Sequence, residues 1–199
     1  QVTGAPPGLA AAAPAPEQID GDWRSYELKG ARTFALSLSP EYQTSVQTVG
    51  DVRVTSYFWA YHAAGGQATL ETAARAIELY TRLFGPYPHR TLAVVEADFL
   101  DGMEYDGLFF LSNGFYNLYD GTPASYLVAL AAHETAHQWW FSAVANDQAL
   151  EPWLDEALCT YSEKLYLETY APQAVDWWLQ VRVLYYQPRG FVDDSIYNP

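Results

Sequence analysis

An α+β fold is predicted by three observations. Segments with period-two alternation come first along the chain, and segments with a period near 3.6 come second. No internal repeat interrupts that order. The 199 residues are half apolar and 16% aromatic, enough to bury a real core as one domain, or one domain with an appendage. The expected architecture is a small mixed β-sheet subdomain followed by helices, preceded by the trailing strands of a β-rich amino-terminal domain.

Residues 1–18 are rich in Ala and Pro and nearly free of charge, and are expected to form a flexible or extended lead-in. From residue 19 to 62 the texture is that of strands. Trp23–Leu28, Thr33–Leu38, Tyr42–Val49 and Val52–Tyr61 alternate apolar and polar residues. Turn signals fall at Lys29-Gly30, Ser39-Pro40 and Gly50-Asp51, so consecutive antiparallel hairpins are expected. Residues 63–199 are expected to form the second unit. After Gly65-Gly66, the positions Leu70, Ala73, Ala74, Ile77, Tyr80 and Leu83 mark an amphipathic helix that Gly85-Pro86 ends. Leu92–Ala97 and Leu108–Leu111 read as strands around a glycine-punctuated turn.

Three helices follow. Thr122-Pro123 supplies a cap and a first-turn proline for one carrying Tyr126, Leu130, His133, His137 and Trp140 on one face. A second starts near Glu151-Pro152 and runs to about Tyr170. A third runs from Pro172 to about Tyr186. His62 and His89 fall in loop contexts and are expected at the surface. The lone Cys159 is expected as a small buried hydrophobe, and it excludes a disulfide framework.

Charge narrows the partners. Acidic residues outnumber basic ones 24 to 10, which disfavours nucleic acid and anionic membrane surfaces. No apolar run is long enough to span a bilayer. The sequence has no initiating Met and no charged-then-apolar leader. It therefore reads as a piece of a longer protein whose other parts pack against it, with a weak lean to an extracellular or cell-surface location.

The chemistry concentrates in His133-Glu134-Thr135-Ala136-His137. Two histidines four apart on a helix share one face and can hold two corners of a tetrahedral Zn²⁺ site, while Glu134 can reach a metal-bound water. Eighteen residues further on, Glu156 stands in Trp153-Leu154-Asp155-Glu156-Ala157, within an apolar helix opening where an unpartnered carboxylate would be costly. As third ligand it would complete His₂Glu and leave a fourth position open, the mark of a catalytic site. Glu163, seven residues beyond, returns to nearly the same face and can accept the second ring N–H of a ligand histidine; an exposed helix glutamate is the alternative. Asp155 points to another face and has no expected chemical role.

These residues resemble the gluzincin metallopeptidases of the aminopeptidase N type. The resemblance rests on His133-Glu134-Thr135-Ala136-His137, on Trp153-Leu154-Asp155-Glu156, on Asp101-Gly102-Met103-Glu104-Tyr105 thirty positions before His133, and on Gly85-Pro86-Tyr87-Pro88. It covers roughly residues 70–170 and implies a thermolysin-like zincin catalytic domain with one zinc ion on His133, His137 and Glu156. It implies that Glu134 is the general base. It also implies that Glu104 binds the free α-amino group of a peptide substrate, with the backbone of Gly102, Met103 and Glu104 pairing with the peptide. The implied reaction is hydrolysis of amino-terminal peptide bonds. Asp101 and Tyr105 replace the family's Gly and Asn, which keeps zinc endopeptidase activity open, and a non-catalytic binding or scaffold role is a further alternative. The family's transition-state tyrosine would lie beyond Pro199, so the piece alone is expected to be weakly active or inactive. Tyr185, Tyr186 and Tyr197 are expected to be packing or loop residues.

Overall fold

The computed structural model describes residues 1–186; Tyr197 lies outside the described residues. Its strands are β1 (Val2–Thr3), β2 (Ala10–Ala12), β3 (Glu17–Asp20), β4 (Trp23–Tyr26), β5 (Ser37–Ser39), β6 (Tyr42–Val49), β7 (Val52–Trp59), β8 (Thr91–Ala97), β9 (Gly102–Tyr105) and β10 (Leu108–Ser112). Its helices are α1 (Ala63–Phe84), α2 (Asn113–Asn117), α3 (Tyr126–Ala136), α4 (Trp153–Tyr170) and α5 (Val175–Trp177). The fold is mixed α+β. A five-stranded sheet in the order β6-β7-β8-β10-β9 carries α1 against it, and α3 packs between α1 and α4.

The sheet crosses the boundary expected at residue 62. β6 and β7 form an antiparallel hairpin, and β7 then pairs in parallel with β8 across the α1 connection. β7 is buried along most of its length, so Val52, Val54 and Phe58 belong to the same core as Leu92, Val94 and Phe109. One sheet thus has strands on both sides of residue 62.

The strands before Tyr42 also differ from a simple meander. β4 pairs backward with β3, and not onward through Lys29-Gly30 as expected, while Thr33–Leu38 yields only β5, which pairs with β2. Within the lead-in, β2 is extended and paired with β5, and Ala12, Ala13 and Ala15 are buried. Small side chains allow that strand to lie close against the sheet, and the Thr91 hydroxyl donates to the Pro14 carbonyl. A run of alanines carries little hydrophobic pattern, which is why the sequence hides it.

Helix α1 begins before the glycine pair. Gly65 and Gly66 are buried, and a Cβ on Gly66 would overlap the Phe58 ring. The glycines bring the helix onto the sheet; they do not mark its start. Helix α3 begins three residues after the predicted proline start, with the Ser125 hydroxyl accepting from the Val128 N–H as cap. After His137 the chain tightens into a wide turn over Gln138–Ala143 that breaks at Trp140 and Phe141. Trp139 is buried there, and its ring N–H donates to the Gly85 carbonyl, tying this turn to the end of α1. The third predicted helix is present from Pro172 to Tyr186 as short, irregular turns around α5.

His62 and His89 are buried, not superficial. The His62 Nδ1 meets the Glu96 carboxylate, and its Nε2 lies 2.9 Å from the Asn117 Oδ1. His89 lies 3.8 Å from Asp106. Each partner lies on an element distant in sequence, so no local pattern announces the burial.

Candidate metal and peptide site

Helix α3 buries every residue from Leu127 to Ala136, and places His133, Glu134 and His137 at its inner end. Helix α4 runs alongside and supplies Glu156, Cys159 and Glu163. The His133 Nδ1 lies 2.7 Å from Glu163 Oε1. Glu163 is fully buried and also accepts from the Trp178 indole N–H at 2.7 Å and from Arg182 at 3.0 Å. The His137 Nδ1 lies 3.4 Å from the Trp140 carbonyl.

Both histidines thus turn their Nδ1 atoms to acceptors and their Nε2 atoms toward each other, 3.2 Å apart. Glu156 reaches the same point: its Oε2 lies 3.1 Å from His133 Nε2 and its Oε1 3.8 Å from His137 Nε2. Nδ1–H donation leaves a lone pair on each Nε2, and two facing lone pairs beside a carboxylate require a proton or a cation between them. This donor set, two imidazole nitrogens and one carboxylate, fits zinc. Glu156 differs from the expected buried carboxylate: its side chain is 55% exposed, on the open side of the site. The buried one is Asp155, which accepts from Asn146 and Gln148 and lies 4.0 Å from His137 Nδ1, on the site rather than away from it.

Among the described residues, two further groupings could hold a metal: His133, His137 and Cys159, and Glu104, Glu134 and His137. Cys159 is buried, as a small hydrophobe would be, and burial pushes its thiol well up, so it is a poor thiolate source.

Glu134 is buried, and its Oε2 has no hydrogen-bond partner. Burial raises its carboxyl to about 8; the His133 charge opposes the rise, and Glu104, Glu156 and Asp101 reinforce it. Burial disfavours the His133 imidazolium, but the Glu156 and Glu163 carboxylates override it and hold His133 up to about 10. His137 moves the other way, lowered by burial and by the neighbouring His133 charge. Hydrogen bonding to His133 lowers Glu156.

Strand β9 is the outer strand of the sheet and runs past this group. Gly102 lies so close to Glu134 that a Cβ would overlap the carboxylate. Here glycine permits the close approach of backbone to the buried Glu134 carboxylate. Asp101 before it sits at φ 68°, a left-handed conformation rare outside glycine. Met103 is exposed, and Glu104 faces the cluster with its Oε1 accepting from the Gln148 amide at 2.7 Å. Sequence reasoning missed Gln138, which is fully buried, directly follows His137 and bonds the turn after β9.

The Peptidase family M1 domain matches residues 68–198, and the chain belongs to that family. It is 30% identical over 120 residues to Aminopeptidase M1-D of Oryza sativa subsp. japonica, an alignment covering 56% of this chain. The chain spans 14% of that relative's length. Among the described residues no helix is long and apolar enough to cross a membrane.

Proposed function

We propose that this chain carries the metal centre of a zinc-dependent peptidase that hydrolyses amino-terminal peptide bonds, in a thermolysin-like arrangement whose sheet begins at Tyr42. The observation that carries the reading is the meeting of His133 Nε2, His137 Nε2 and Glu156 beside a partnerless, buried Glu134 oxygen. His133, His137 and Glu156 would hold the ion, with Glu163 fixing the His133 ring through Nδ1. When bound, zinc supplies Lewis acidity that makes water a competent nucleophile near neutral pH.

The protein's own residues account for the rest. Glu134 takes the proton of the attacking water at Oε2 and delivers it to the leaving amine. The free edge of β9 pairs with the substrate backbone as an added strand. Glu104 receives the α-ammonium group, displacing the Gln148 amide that now occupies its Oε1. The relative's name, an aminopeptidase, supports the same direction.

The test compares a free-amino peptide with its N-acetylated twin on the zinc-loaded full-length protein. Much faster cleavage of the free-amino peptide is expected. Equal rates would replace the reading with an endopeptidase, and cleavage of neither would favour a binding module.

A further inference from the structure

We propose that Gln138, with Asp106 and Ser142 behind it, is a positioning residue that fixes the edge strand β9 relative to the metal-ligand helix, and so governs discrimination for free amino ends. The proposal rests on the amino-terminal peptidase reading above.

Among the described residues, strand β9 has four residues and is held by a ladder on one side only, from β10. Its other edge is the one a peptide would use, so it contributes nothing to holding the strand in place. Beside the Gln148 bond to Glu104 and the packing of Gly102 on Glu134, the turn that closes the hairpin supplies a buried restraint. There the Gln138 side-chain amide donates to the Tyr105 carbonyl at 2.9 Å and accepts from the Gly107 N–H at 2.8 Å. One amide thus spans the turn with both its donor and its acceptor. Gln138 directly follows His137, so a single side chain links a ligand histidine to the strand that bears Glu104.

Asp106, within the same turn, makes the second connection. Its Oδ2 accepts from the Arg32 N–H at 3.1 Å, the Thr33 N–H at 2.8 Å and the Thr33 hydroxyl at 2.7 Å. Its Oδ1 accepts from the Ser142 hydroxyl, and the Ser142 N–H in turn donates to the His137 carbonyl at 2.9 Å. Two separate routes therefore return from one turn to one histidine. Gln138 and Asp106 are 0% and 1% exposed, and burying such groups is costly unless every polar atom is used. A simple surface hairpin needs no such arrangement.

The chemistry gives the restraint a purpose. The α-ammonium on Glu104 and the carbonyl near Glu134 belong to the same substrate residue, so both carboxylates must be in register at once. A shift of the strand by about 1 Å suffices to cost on the order of 10²-fold in rate. A substrate lacking the ammonium pairs with β9 through its backbone alone and makes no such double demand, so it depends less on the strand's exact placement.

The experiment measures kcat and KM of the full-length, zinc-loaded protein for a free-amino peptide amide and its N-acetylated twin, in wild type and Gln138→Met. Methionine keeps the length and removes both hydrogen bonds. The expected result is a rise in KM for the free-amino peptide, lowering the preference ratio roughly tenfold, about the effect of 1.4 kcal/mol. The acetylated twin should change little, and bound zinc should stay at one per chain. Ser142→Ala, which removes a single outlying hydroxyl, should move the ratio the same way by less and covers a Gln138 variant that fails to fold. Equal slowing of both substrates, or an unchanged ratio in both variants, overturns the proposal. A wild type that shows no preference overturns the amino-terminal reading itself and this proposal with it, a result visible before any variant is made.

Discussion

Glu163 accepts from His133 on one oxygen and from Trp178 on the other, and is shut off from solvent. A buried carboxylate so placed holds the imidazole in one orientation and one tautomer, with its Nε2 turned toward His137 and Glu156. Glu163→Gln keeps the shape and the Trp178 contact but weakens the acceptor. Zinc affinity is expected to fall by roughly 10–100-fold, read by competition with a chromophoric chelator, while far-UV circular dichroism is unchanged. Unaltered affinity would assign Glu163 to packing alone.

Gly102 is expected to tolerate no side chain. In Gly102→Ala the new methyl meets the Glu134 carboxylate, so either strand or base must move. The rate should fall on the order of 10²-fold with zinc content retained. Wild-type turnover in this variant would show that β9 gives way freely, contrary to the close approach described.

The acid limb of stability should report Asp106. Burial works against its charge, but hydrogen bonds from Ser142, Thr33 and Arg32 prevail and hold its carboxyl below the usual range. A carboxyl lowered in the folded state contributes stability in full above its unfolded value, and loses that contribution as pH falls through the folded value. Asp106→Asn places an NH₂ among donors and is expected to cost roughly 2–3 kcal/mol at pH 7. Urea midpoints measured from pH 7 downward should converge for the two proteins below roughly pH 4. Parallel curves would mean that Asp106 is uncharged in the fold.

The contrast between residues that could and could not be found from sequence has a physical basis. His133, Glu134 and His137 lie within two helical turns, and Glu156 and Glu163 share a helix face, so spacing alone displays them. Gln138 and Asp106 use partners 31 to 74 positions away, and no local period encodes such pairs. The same holds for His62 and His89, which look like loop residues until Glu96 and Asp106 are folded against them. Hairpin β6–β7 was readable from its alternation, but its membership in the five-stranded sheet depends on parallel pairing with β8 across a whole helix. The glycine pair at 65–66 misled because a breaker and a packing glycine look identical in sequence.

Glu134 separates metal binding from catalysis. Glu134→Gln keeps the volume and removes the base, so peptide cleavage should drop by roughly 10²–10⁴-fold while zinc remains bound. Loss of zinc in this variant would instead make Glu134 part of the ligand set, as its proximity to His137 and Glu104 would allow.

The proposed metal centre joins His133, His137 and Glu156. Its most direct test is the zinc content of the full-length protein after reconstitution and dialysis, by atomic absorption, beside His137→Ala. One zinc per wild-type chain and none in the variant are predicted. A wild type that retains no zinc, or a variant that binds it as tightly, would contradict the account.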